Sequence, residues 1–77
     1  MKFKVIFYDL AYKWEEEIVS DQAMTGKEAA VWVLRKNERP YDNLNGLIYR
    51  VGQDRVSPDS TVPDGECLYI HRLLGGG

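Results

Sequence analysis

The residues that offer chemistry are few, and most of them stand together at the end of the chain, Arg72-Leu73-Leu74-Gly75-Gly76-Gly77. Glycine has no side chain, so three in a row pack against nothing and leave the terminal carboxylate unhindered. Such an end fits a narrow enzyme channel and suits activation of the terminal carboxyl group by ATP. A frayed terminus without a role is the alternative that composition alone leaves open.

The sequence does not indicate a catalytic or metal site of the chain's own. The single cysteine, Cys67, and the single histidine, His71, stand four residues apart on one predicted strand. Side chains at that spacing lie roughly 13 Å apart, because a strand rises about 3.3 Å per residue. This separation excludes a nucleophile–base pair, and a metal site needs several converging ligands. We therefore expect no enzymatic activity, no metal and no cofactor bound by the chain itself.

Composition restricts the setting in which the chain works. Its 77 residues suffice for one small domain, and a hydrophobic content of 44% supplies a core without disulfides. A lone cysteine suits a reducing cytosol, and the start, Met1-Lys2-Phe3-Lys4, lacks the apolar stretch of a signal peptide, so a cytoplasmic location is expected. The mixed charges, with a net value of −2, argue against a nucleic-acid partner. No apolar run reaches the length of a membrane span.

Local patterns predict one helix and four to five strands. Thr25-Gly26-Lys27-Glu28 is a capping box, and Pro40 prevents the helix from continuing. Residues 10–13 are predicted to turn. The predicted elements are strands at 2–9 and 14–20, a helix from Gly26 to about Asn37, and strands at 47–51, 55–56 and 66–72. Their order predicts an α+β fold of the β-grasp type, in which the last strand lies beside the first and the helix crosses one face of a mixed sheet.

The second predicted strand has a less regular pattern than the first. Trp14, Glu16 and Ile18 share one face, which places a carboxylate among apolar side chains. Two interpretations remain open: Glu16 lies near the edge of the sheet, or a bulge shifts the register.

The whole chain resembles the ubiquitin-like β-grasp family, which includes ubiquitin-type modifiers and the small sulfur carriers of molybdopterin and thiazole synthesis. The ending, residues 72–77, is similar to ubiquitin's Arg-Leu-Arg-Gly-Gly, and Leu47-Ile48-Tyr49 is similar to its Leu-Ile-Phe. The turn Pro63-Asp64-Gly65 looks more like the sulfur carriers. Leu74 stands where ubiquitin has an arginine that its activating enzyme reads, which argues against ubiquitin's own enzyme as the partner.

The resemblance implies a domain at 1–72, a flexible glycine tail at 73–77 and a function that depends on partners. A ubiquitin-activating-type enzyme would adenylate the terminal glycine with its own ATP and Mg²⁺. A conjugating enzyme would pass the acyl group to amines of target proteins, and a deconjugating protease would remove it. The residues implied are Gly77 and Gly76 for acyl activation, and Arg72, Leu73, Leu74, Gly75, Ile48 and Tyr69 for partner binding. The alternatives are a sulfur carrier with a C-terminal thiocarboxylate, serving cofactor or tRNA thiolation, and a non-covalent adaptor.

The extra glycine leaves two alignments with ubiquitin's glycine pair. Matching that pair to residues 75–76 would bury Cys67 and Tyr69, whereas matching it to residues 76–77 would bury Leu68 and Ile70. Burying two purely apolar side chains is favoured, since each contributes roughly 1.5–3 kcal/mol. We therefore predict that Leu68 and Ile70 face the helix and that Gly77 is the reactive glycine.

Overall fold

The computed structural model describes residues 1–72, which form a five-stranded mixed sheet with one helix across it. The strand order β2-β1-β5-β3-β4 places β5 in the centre, parallel to β1 and antiparallel to β3. This architecture confirms the predicted α+β fold. The predicted tail, residues 73–77, lies outside the described residues. The elements are β1 (Lys2–Asp9), β2 (Tyr12–Val19), α1 (Gly26–Lys36), β3 (Leu47–Val51), β4 (Asp54–Val56) and β5 (Cys67–Arg72).

The first hairpin is tighter than the sequence suggests. Its register runs without a break from Lys2 opposite Val19 to Asp9 opposite Tyr12, so only two residues form the turn. Leu10 takes a φ of 56°, the left-handed conformation that lets so short a turn reverse the chain. Of the turn predicted at residues 10–13, only residues 10–11 form the turn. Residues 12–13 belong to β2, which begins two residues earlier than predicted.

The unbroken register also decides between the two interpretations of Glu16. There is no bulge, and Glu16 lies on the helix-facing side of β2, an edge strand. Its side chain is only 15% exposed. It accepts a 2.9 Å bond from Lys36 Nζ and a 3.2 Å bond from Asn37 Nδ2. A largely covered carboxylate is stable here because two donors at the end of the helix satisfy it, and the contact ties the helix to the edge strand.

The helix begins where the capping box predicts. Thr25 Oγ1 accepts from the Glu28 backbone N–H at 3.1 Å, and Glu28 Oε1 accepts from the Thr25 N–H at 2.8 Å. These two bonds satisfy donors that the first turn of a helix leaves without partners. The helix ends at Lys36 with Asn37 as its C-cap, within one residue of the prediction.

The core lies between the helix and the face of the sheet that it crosses. Strand alternation sends every second side chain of β1 and β5 inward. Leu68 and Ile70 are fully buried, which confirms the predicted register of the last strand. Gly77, the residue inferred from that register, lies outside the described residues. The other buried apolar residues are Phe3, Val5, Phe7, Ile18, Ala29, Ala30, Val33, Leu34, Tyr49 and Val62.

The predicted turn before the last strand is fastened to the start of the first strand. Gly65 has a φ of 81°, which its lack of a side chain permits. Asp64 Oδ1 accepts from the Lys2 backbone N–H, and the Gly65 N–H donates to the Lys2 carbonyl, both at 2.7 Å. Val62, which directly precedes this turn, is buried and donates its N–H to the Met24 carbonyl at 2.8 Å.

Candidate protein-interaction surface

The face of the sheet turned away from the helix carries aromatic and apolar side chains near its centre. We call this surface the outer face. In one row across three strands, Tyr8 and Ile48 lie on either side of His71. The neighbouring row has Tyr69 flanked by two further residues of the outer face. The outer face consists of Ile6 and Tyr8 of β1, Ile48 and Arg50 of β3, and Tyr69 and His71 of β5. Side chains paired across strands in this way contact one another.

The outer face is accessible without being flat. Tyr8 is 45% exposed and Tyr69 is 36% exposed, while Ile48 and His71 are half-buried. A shallow depression of about 530 Å³ is lined by four residues of this face together with Gly52 and Gln53 of the β3–β4 turn. A depression of this size has room for one protruding side chain, and anchoring residues at protein interfaces are seated in pockets of this kind.

Charged side chains border the outer face on both sides. On β2, Lys13 lies opposite Tyr8, with its ammonium group 5.6 Å from the ring centroid. A hydrogen bond with Glu15, followed by the nearby Tyr8, raises the pKa of Lys13, so it stays cationic at neutral pH. On the other side, Arg50 lies opposite Arg55 of β4. An apolar centre with a polar rim is the usual anatomy of a protein-binding patch.

Tyr69 remains a neutral hydrogen-bond donor at neutral pH. Hydrogen bonding with the Cys67 side chain two residues earlier, and the repulsion that a thiolate there would exert on the phenolate, raise the pKa of the Tyr69 hydroxyl. The group at the centre of the outer face therefore presents an apolar ring with a polar tip, a combination that is common at interfaces.

The end of β5 carries a second arrangement, on the opposite side of the sheet. Arg72 Nε donates to Asp9 Oδ1 at 2.8 Å, Nη2 donates to Asp9 Oδ2 at 3.4 Å, and Nη1 donates to the Asn45 carbonyl at 3.0 Å. The side chains of Arg72 and Asp9 are 20% and 12% exposed. Arg72 therefore joins β1, β5 and the segment before β3 at the point where the described chain stops.

Comparisons with known proteins agree with this architecture. No protein-family model matches the sequence, and no curated protein matches it. Among solved structures, a ubiquitin-like protein from the hyperthermophilic archaeon Caldiarchaeum subterraneum is similar, with a TM-score of 0.56. The match covers 99% of this chain and 100% of that one, at 15% sequence identity. The chain has the ubiquitin-like β-grasp fold. At this identity the likeness establishes the fold, while function has to be argued from the surface.

The ubiquitin-like fold brings some of the predicted site residues together and separates others. Ile48 and Tyr69 lie on adjacent strands of the outer face. Arg72 is on the other side of the sheet, with its guanidinium group held by Asp9 and Asn45. Leu73, Leu74, Gly75, Gly76 and Gly77 lie outside the described residues, so their predicted roles stay predictions.

Four members of the outer face were missed as site residues: Ile6, Tyr8, Arg50 and His71. A signal for Tyr8 was present, because Ile6 and Tyr8 make the second face of the β1 pattern less polar than a fully hydrated face. Arg50 and His71 join the surface only through pairing of β3 with β5, which single-strand periodicity does not specify.

Within residues 1–72, no three His, Cys, Asp or Glu side chains gather closely enough to hold a metal ion. The helix of this described segment falls short of the length and hydropathy needed to cross a bilayer.

Proposed function

We propose that this chain is a ubiquitin-like protein modifier, joined through the Gly77 carboxyl group to amines of target proteins. The observation that carries the proposal is the position of β5. This strand lies at the centre of the sheet, contributes Tyr69 and His71 to the outer face, and runs directly into Leu73-Leu74-Gly75-Gly76-Gly77. One strand thus connects a surface suited to partner recognition with a terminus suited to acyl transfer.

The proposed chemistry is carried out by partners. A carboxylate is a poor acyl donor because its leaving group is oxide. A ubiquitin-activating-type enzyme would use ATP and Mg²⁺ so that a Gly77 carboxylate oxygen attacks the α-phosphate and releases pyrophosphate. An enzyme thiol would then attack the carbonyl and release AMP. A conjugating enzyme would present the thioester to a target amine, which forms the amide and releases the thiol; a protease would reverse the product by hydrolysis.

In this proposal the chain supplies position and access. Gly76 and Gly77 leave the carbonyl open to attack, since a Cβ at either position would crowd the approach. Leu73, Leu74 and Gly75 would occupy the enzyme's channel. Ile48 and Tyr69, with their outer-face neighbours, would dock on the enzymes that handle the modifier, because rigid aromatic anchors supply contact area at low entropic cost.

Deleting residues 76–77 tests the proposal in cells that normally produce the protein. The modifier function predicts a ladder of larger species that an antibody against this chain detects, and its complete loss in the deletion variant. The variant Lys27→Ala, which changes an exposed residue at the start of the helix, is the control and should keep the ladder. Persistence of the ladder after the deletion contradicts the proposal, provided that both variants unfold at the wild-type temperature.

A second candidate is a sulfur carrier, and the Pro63-Asp64-Gly65 turn favours it. This turn is bonded to Lys2 and sets where β5 begins. After the same adenylation, a sulfide equivalent would displace AMP and leave a thiocarboxylate on Gly77. Intact mass measurement on the protein purified from its own cells distinguishes the two, because one oxygen would be replaced by sulfur. A mass that corresponds to the unmodified carboxylate, in cells that contain the activating enzyme, argues against this candidate.

A non-covalent adaptor is the third candidate, favoured by the outer face alone. It predicts a partner that binds equally well when the chain is truncated after Leu74. Loss of that binding on truncation, or any ATP-dependent adenylation of the terminus, counts against it.

A further inference from the structure

The Arg72–Asp9 pair is the one ion pair in the described part of the chain in which both side chains are covered; in the Lys36–Glu16 pair the lysine is 54% exposed. The pairs on the strands of the first hairpin are exposed; Lys2 and Glu17, for example, are 3.5 Å apart with side chains 64% and 61% exposed. Such pairs contribute little to stability. Arg72 and Asp9 are both largely withdrawn from water, and Asp9 is the one buried charged residue among residues 1–72.

The hydrogen bonds of the pair hold the Arg72 guanidinium group in one position and orientation. Each guanidinium nitrogen of Arg72 donates to one acceptor, two on the Asp9 carboxylate and one on the Asn45 carbonyl. A two-point arginine–carboxylate contact fixes orientation as well as distance. The backbone register between β1 and β5 ends at Tyr8 opposite His71, and the ion pair extends the same alignment by one further residue.

The pair lies at the end of the last strand, directly before the C-terminal segment in the sequence. Arg72 is the last residue of the last strand, and Leu73-Leu74-Gly75-Gly76-Gly77 follows it immediately. A bond network that holds Arg72 to β1 and to the segment before β3 fixes the point from which that segment starts. It also uses three of the five guanidinium N–H donors, so fewer remain for a partner's carboxylate.

We propose that Arg72 and Asp9 are positioning residues that anchor the base of the functional tail, and that Arg72 acts inside the domain and is not read by the activating enzyme. This inference rests on the proposed function for its role in conjugation, and it competes with the sequence-based prediction that Arg72 contacts the partner. It implies that the enzyme selects this modifier through Leu73, Leu74 and the glycines, together with the outer face.

Limited proteolysis measures the anchor without any partner. Trypsin must draw an arginine side chain into its own pocket, so the anchored Arg72 should be cut slowly in the folded protein. The readout is the ratio of cleavage after Arg72 to cleavage after Arg50 in β3, which requires unfolding of the domain. Loss of the anchor raises the ratio, because only cleavage after Arg72 becomes faster. General destabilisation also speeds cleavage after Arg50 and therefore does not raise the ratio.

We expect Asp9→Asn to raise the ratio by about tenfold, because one partner of a largely buried pair loses its charge. The control Glu17→Gln removes a carboxylate from an exposed pair and should stay within about twofold of the wild type. Equal ratios for Asp9→Asn, Glu17→Gln and the wild type overturn the anchor.

A charge-reversal cycle tests the role in conjugation. Asp9→Arg and Arg72→Asp each break the pair and should lower the conjugate ladder, while the double variant restores opposite charges and should recover more ladder than Arg72→Asp alone. A double variant that is as stable as the wild type but makes no more ladder than Arg72→Asp overturns the inference, because the enzyme would then be reading Arg72. If the wild type makes no ladder, the proposed function fails, and the cleavage ratio still decides whether the anchor exists.

Discussion

The two faces of the sheet are built from the same strands, yet one face is buried against the helix and the other is exposed to water. On β5, Leu68 and Ile70 are fully buried against the helix, while Tyr69, which lies between them in sequence, is 36% exposed. On β1, Phe7 is buried and its neighbour Tyr8 is exposed. One face contributes the apolar burial that holds the domain together, and the other keeps a partly apolar surface in contact with water. Burial and exposure therefore alternate residue by residue along each strand, so under the proposed function stability and recognition should be separable by mutation.

The largest expected effect is on the helix-facing side. Leu68→Ala removes a fully buried side chain and should lower the free energy of unfolding by about 2–5 kcal/mol, since a cavity is left in a close-packed core. Urea unfolding followed by circular dichroism measures the change. Tyr69→Ala, at the adjacent position, is the matched comparison. Similar losses for both variants would show that the two faces are not energetically distinct.

A smaller loss is expected where the helix begins. A Cβ added at Gly26 would lie 2.9 Å from Cδ2 of the buried Tyr49 ring. Gly26→Ala should therefore cost about 1–3 kcal/mol through overpacking, despite the better helix propensity of alanine. Thermal unfolding compares it with Lys27→Ala at the next, exposed position. A Gly26→Ala variant as stable as the Lys27→Ala control would mean that the tyrosine ring moves aside at no cost.

The hydroxyl of Tyr49, carried by a ring in the core, should make the helix-facing side sensitive to alkaline pH. Burial raises the pKa of Tyr49 above its unfolded value of about 10. The neutral form is thus favoured in the folded state, and its contribution to stability is complete below pH 10 and is lost as pH rises through the folded pKa.

Urea unfolding at a series of pH values from 8 upward isolates this contribution as the difference between wild type and Tyr49→Phe. We expect the difference to be constant up to about pH 10 and then to fall. Tyr41→Phe, at an exposed ring, should follow the wild type throughout. A constant difference across the whole range would contradict the assignment of the shift to burial.

The smallest effect on stability, and the largest on recognition, is expected on the outer face. Tyr69→Ala and Ile48→Ala should each cost less than about 1 kcal/mol, the range of single cross-strand contacts. Both should nevertheless reduce the conjugate ladder, because they remove anchors from the docking surface. Lys27→Ala, at an exposed position on the helix, is the control and should keep the ladder. An unchanged ladder in Tyr69→Ala and Ile48→Ala would separate the outer face from the proposed function.

The sequence predicts those parts of the fold that local patterns specify. Alternation in β1 places Phe3, Val5 and Phe7 inward, and the capping box at Thr25 locates the start of the helix. The burial preference of Leu68 and Ile70 over Cys67 and Tyr69 was enough to choose the register of β5.

Local patterns do not predict contacts between residues that are far apart in the sequence. Asp9 and Arg72 are 63 positions apart, and Glu16 finds Lys36 and Asn37 only once the helix packs on the edge strand. Val62 stands next to a polar turn and belongs to the core because the residues before it, at 58–60, bond to the start of the helix. The outer face was predicted only in part for the same reason: Ile48 and Tyr69 were identified, whereas His71 and Arg50 join them through pairing of β3 with β5.

The central claim is that the domain presents its terminal glycine for transfer to other proteins. Such a transfer would leave a branched peptide that mass spectrometry detects. Trypsin digestion of denatured cell protein cuts after Arg72, the last basic residue. Every modified lysine would then carry a branch of Leu-Leu-Gly-Gly-Gly joined through its ε-amine. We predict peptides with this branch in cells that produce the protein and none in cells that lack its gene. Absence of the branch from purified high-molecular-weight species that contain this chain would contradict the claim.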